Sequence, residues 1–132
     1  AGMHNQVRQW AGEGFMASLL GLLLAKGFAV FVSSDHGNVE ATGCGRPQEG
    51  MMADVRGERV RIYSDRVLRT GTAAKFPKTI PWKPLGLPED FLALIAPERR
   101  AFVLEGQRTV AHGGITIEEL IVPFVRVSGD AK

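Results

Sequence analysis

Residues 28–40 read FAVFVSSDHGNVE. A run of β-formers, Phe28 to Val32, breaks into Ser33-Ser34-Asp35-His36-Gly37-Asn38. The first five residues are apolar without alternation. This predicts a strand buried on both faces, as in a parallel sheet. Ahead of it, Val7, Trp10, Ala11, Phe15, Leu19 and Leu22 recur every three to four residues, which predicts a helix from about 5 to 26. Gly12, Gly14 and Gly21 weaken that helix, and Gly27 is placed to end it. Helix, short turn and buried strand is the α/β pattern. In such sheets ligands gather where strands end, which is where Ser34, Asp35 and His36 fall.

The rest of the chain extends the same class. GERVRIYS (57–64) alternates, with Val60 and Ile62 on one side, and reads as a strand. FPKTIPWKPLGLP (76–88) holds four prolines and reads as an extended loop. A short helix is predicted over PEDFLALI (88–95). RAFVLE (100–105) and RTVAH (108–112) are predicted to form a hairpin about Glu105-Gly106-Gln107, and IVPFVRV (121–127) an edge strand interrupted by Pro123. No repeat or linker divides the 132 residues, a length that suits one domain.

Composition narrows the function. The formal charge of +2 is too small for whole-chain attraction to nucleic acid, and the single Cys44 excludes an internal disulfide and a cysteine-built zinc site. The lone cysteine fits a reducing, cytoplasmic setting. The longest apolar stretch, Leu19 to Leu24, is closed by Lys26 and is too short to span a bilayer. Ala1-Gly2 ahead of Met3 reads as an expression scar, so residues 1–4, His4 included, carry no argument.

Asp35 and His36 can reach one cation if the backbone turns sharply, and a carboxylate with a neutral imidazole suits zinc or manganese better than magnesium. His112 also follows a strand and precedes glycines, so the two histidines could converge. The competing reading is a turn with solvated side chains. Ser33 and Ser34 beside Asp35-His36 do not make a hydrolase triad, because sequence neighbours rarely give that geometry. The stretch Arg56 to Lys83 holds eight basic residues against Asp54, Glu58 and Asp65. It reads either as a solvated, salt-bridged face or as an attractor for phosphate or nucleic acid. Cys44 reads as incidental, Met51-Met52 as core, and Glu118-Glu119 after Thr116 as acids at a helix start.

SSDHGNVEATG (33–43) resembles the T-S/A-D-H-G-N signature of the alkaline phosphatase superfamily. GRPQEG (45–50), GERVRIYSD (57–65) and HGGITIEELIVPFVRV (112–127) together resemble the C-terminal part of PglZ-domain proteins. That branch of the superfamily occurs in phage-defence systems of the BREX type and on some response regulators. The similarity runs from about residue 15 to 127. It implies a partial alkaline-phosphatase-like sheet with flanking helices, and a two-metal phosphohydrolase site with zinc or manganese. Asp35 and His36 would hold one metal and His112 the other. The superfamily's early aspartate, Ser/Thr nucleophile and Asp-x-x-x-His motif have no counterpart in these residues. The expectation is therefore a C-terminal piece of a larger metal-dependent phosphatase or phosphodiesterase, inactive alone and without its own catalytic residue. Its substrate would be a phosphate ester or nucleotide, and its partners other defence proteins. A degenerate scaffold role and nucleic-acid binding through 56–83 are the alternatives. An exposed sheet edge predicts a homodimer.

Overall fold

The computed structural model describes residues 2–48 and 55–129. The class is mixed α/β. The chain falls into two compact units, Ala1–Ser34 with Pro123–Lys132, and Asp35–Val122.

In the first unit, α1 (Gly2–Gly12) and α2 (Phe15–Ala25) replace the single helix expected over 5–26. The break lies at Gly14, whose φ of 86° is left-handed and ends helical continuity. Strand β1 (Val30–Ser33) pairs antiparallel with the C-terminal strand Phe124–Val127, Val30 opposite Val127 and Ser33 opposite Phe124. The buried parallel strand expected at FAVFV is thus corrected. Val30 is buried, but Phe31, Val32 and Ser33 are exposed. Its apolar run arises because both strands are apolar: Phe31 stacks on Phe124 with ring centroids 5.3 Å apart. Ser33 Oγ donates to the Pro123 carbonyl at 2.9 Å, which gives that hydroxyl a structural role.

In the second unit, β2 (Val39–Gly43) is the central strand of a three-stranded sheet. Strands β3 (Val55–Arg56) and β4 (Val60–Tyr63) come next. Helix α3 (Arg66–Lys75) follows, with the Asp65 side chain accepting from the Val67 and Leu68 amides, a conventional N-cap. Then come β5 (Ile80–Pro81), β6 (Leu92–Ile95), β7 (Arg100–Ala101), β8 (Arg108–Ala111) and the short helix α4 (Ile117–Leu120). The Phe124–Val127 strand of the first unit is β9.

The helix expected over PEDFLALI is corrected. Leu92–Ile95 is a strand buried at all four positions, central in the sheet β3-β4-β6-β5. A short apolar run buried on both faces has no need of helical periodicity. The hairpin expected from 100–112 is corrected too: β7 pairs parallel to β2 and β8 antiparallel to β2, on its opposite edges. Within the proline-rich stretch, Ile80–Pro81 forms an edge strand against β6, a position that tolerates proline. Alternation in β4 is as expected, but its inward pair is Arg61 and Tyr63, with Val60 and Ile62 half-buried.

Tyr63, Leu92, Leu94, Ala96 and Phe102 form one core cluster and Val39, Ala41, Ala101 and Val103 a second. The reading of Met51-Met52 as core lies outside the described residues.

Candidate metal centre

His36 and His112 both lie in the second unit. The register of β2 on β8 brings them together: Val39 faces Ala111, so the residue after β8 returns to the loop that leads into β2. The two imidazoles stack with centroids 3.8 Å apart and planes 14° from parallel. Residues 76 positions apart in sequence thus meet, a convergence that the sequence leaves open beside a turn with solvated side chains.

Asp35 completes the local group. Its Oδ1 accepts from the His36 amide at 3.0 Å, and its Oδ2 lies 3.8 Å from His36 Nε2. His36 Nδ1 is 2.7 Å from the Gly37 carbonyl, which can only accept, so Nδ1 carries the proton. In the neutral ring the lone pair is then on Nε2, the nitrogen nearer Asp35. The 3.8 Å between them is wider than the roughly 3.3 Å that separates two ligands at about 2 Å in a tetrahedral site, so a shared cation needs the Asp35 side chain to close in. Oxygen and imidazole nitrogen are the donors zinc and manganese take. The donor types therefore suit such an ion as part of a ligand set. Among the described residues no three His, Cys, Asp or Glu side chains converge closely enough to hold one alone.

What fixes the two histidines is a buried ion pair that the sequence reading did not single out. Glu119 Oε1 accepts from Arg59 Nε and the Gly114 amide, each at 2.9 Å. Its Oε2 accepts from Arg59 Nη2 at 2.9 Å, the Thr116 amide at 3.1 Å and Thr116 Oγ1 at 2.9 Å. These side chains are 0% and 1% exposed for Arg59 and Glu119. Burial alone would push the Glu119 carboxyl up. The Arg59 guanidinium, the Gly114 and Thr116 amides and the Thr116 hydroxyl outweigh it and bring the group down to about 2. Arg59 Nη1 also donates to the Arg100 carbonyl.

This pair grips both histidine-bearing segments. The Glu119 carboxylate holds Gly114, two residues after His112. The Glu119 backbone carbonyl accepts from the Gly37 amide at 2.9 Å, one residue after His36. Gly37 does not adopt positive φ, so its conformational freedom is not the reason for a glycine there. Space is: a Cβ at that position would lie 1.9 Å from the Glu118 carbonyl oxygen. The signal for Glu119 was in the sequence as Thr116-x-x-Glu119, the spacing of a capping box. Arg59 gave none, since it sat among surface-like basic residues. Arg61 is buried as well, its guanidinium 5.7 Å from the Phe102 ring centroid. Two members of the basic stretch are therefore interior, and the side chain of Arg56 lies outside the described residues.

The family model for the BREX system PglZ alkaline phosphatase-like domain matches residues 1–127. The chain belongs to the PglZ family. No curated protein and no solved structure matches it. Membership makes the PglZ domain phosphatase-like in kind, and among its described residues no helix is long and apolar enough to cross a membrane.

Proposed function

We propose that this PglZ chain supplies part of a two-metal phosphohydrolase site, with Asp35 and His36 as ligands to one divalent ion and His112 as ligand to the other. The observation that carries this reading is the approach of His36 to His112, ring centroids 3.8 Å apart, on segments held by one residue, Glu119, through its carboxylate at Gly114 and its backbone carbonyl at Gly37. Zinc or manganese bound there would neutralise charge on a phosphate ester and lower the pKa of a bound water. The chain's own contribution is orientation. Gly37 O holds the His36 tautomer, and Glu119 fixes the spacing of the two rings. The remaining ligands and the nucleophile are assigned to chain beyond these residues. The parent's substrate is then a phosphate ester or nucleotide, and its setting the BREX system that the family description names, read as phage defence.

Calorimetric titration with Zn²⁺ and with Mn²⁺ tests this, with Asp35→Ala and His112→Ala as controls. Saturable binding weakened at least tenfold by either substitution supports a preformed half-site. Absence of saturable binding, or binding indifferent to both substitutions, refutes it.

A further inference from the structure

A second feature of the Asp35–Val122 unit is independent of the histidines. Strand β2 runs from Val39, beside the histidine pair, to Gly43, about 13 Å away at a rise of roughly 3.3 Å per residue. Past that far end lies a cavity of about 430 Å³, walled by Cys44, Phe76, Pro97 and the side chains of Lys75, Lys78 and Arg100. This volume is in the range of small-molecule sites, about 300–1,000 Å³.

Its charge is lopsided. Three cations line it against one carboxylate, Glu98. Arg100 is held by Glu105 at 3.1 Å, but among the described residues neither Lys75 nor Lys78 has an acidic partner. Two exposed ammonium groups beside a recess are suited to a phosphate group, which lysine binds as a point charge. Apart from Thr79, the rest of the wall is apolar or weakly polar: Cys44, Phe76, Pro77 and Pro97. Phe76 packs edge-on to Phe102 with centroids 6.1 Å apart, which fixes its ring at the cavity, and Pro97 adds a rigid surface. Bare phosphate would leave these walls unused, whereas a phosphate ester carrying a flat ring would cover them. A polynucleotide is not favoured, because the three cations line one recess.

We propose that this cavity is a binding site for a phosphate-bearing organic anion of mononucleotide size, separate from the histidine pair. The test is calorimetric titration of the whole chain with adenosine 5′-monophosphate and with inorganic phosphate, in a metal chelator so that the histidine site takes no part. Saturable binding of the nucleotide is expected, at least tenfold tighter than that of phosphate. Lys75→Ala/Lys78→Ala should weaken it at least tenfold; both residues are exposed, so the fold is retained. Lys83→Ala, in the same basic stretch but outside the cavity, should change it less than twofold. The nucleotide should also slow alkylation of Cys44 at least threefold. The assignment is overturned by lack of saturable binding or by equal affinity for nucleotide and phosphate. It is also overturned by equal losses in the Lys83 and Lys75/Lys78 variants, or by unprotected Cys44.

Discussion

Replacing Glu119 by glutamine should cost the Asp35–Val122 unit a large part of its stability. The carboxylate accepts from five donors: two guanidinium nitrogens, two amides and a hydroxyl. Glutamine keeps one acceptor oxygen and turns an NH₂ toward donors, while Arg59 stays charged with its side chain 0% exposed. Removing one partner of a buried pair costs about 3–5 kcal/mol. The titration of Glu119 leads to a similar figure. A carboxyl at 4.5 when unfolded and about 2 when folded adds about 3 kcal/mol above pH 4.5. Because the folded value is the lower one, that stability is complete at neutral pH. It is lost as pH falls from about 4.5 toward 2. The assay is urea unfolding followed by Trp82 fluorescence in a Trp10→Phe background, at pH 7 and pH 3. The gap between Glu119→Gln and its parent should be widest at pH 7 and narrow on acidification. A gap below about 1 kcal/mol at pH 7, or one that does not narrow, would falsify the account. Arg59→Met/Glu119→Leu should be more stable than Glu119→Gln, since it leaves no lone buried charge.

Three further outcomes are expected. Gly37→Ala places a Cβ 1.9 Å from the Glu118 carbonyl and should separate the histidine rings. Unchanged ring-current shifts of the His36 and His112 protons in NMR would contradict this. Asp65→Ala removes the cap of α3 and should cost about 1 kcal/mol by urea unfolding, with no change in metal binding. Phe31, Phe124 and Val125 lie exposed on a two-stranded sheet with open edges, so light scattering is expected to show self-association that rises with concentration. A monomer at high concentration counts against it.

The mixed α/β class was legible in the sequence, and so were the segments that bear the two histidines. Asp35-His36-Gly37 and His112-Gly113 were each visible as strand-end groups, and β2 against β8 brings them together. Their common anchor was not visible, because an interior arginine looks in sequence like a surface one and only its partner, 60 residues away, marks it as buried. The apolar run at Phe28–Val32 is a strand only from Val30 onward, through Ser33, and composition could not say whether both its faces would be covered. Leu92–Ile95 shows the opposite failure, where four apolar residues suit a strand or a helix and tertiary contact decides. Helix α3 went unread although Asp65 before Arg66-Val67-Leu68 is a cap signal, because its apolar face is narrow.

The placing of β2 at the centre of its sheet has a consequence for synthesis. Its partners are Arg100–Ala101 on one side and Arg108–Ala111 on the other, so Val39 waits for Ala111. At roughly 5–20 residues per second, a nascent chain leaves that interval open for about 4–14 s. The row of backbone amides and carbonyls on Val39–Gly43 that faces β8 is without its full set of partners for that time, and the row that faces β7 is open until Arg100–Ala101 emerge. Slowed elongation past residue 43 lengthens the exposure, so the yield of soluble chain should depend on translation rate and on chaperones that shield unpaired strand edges.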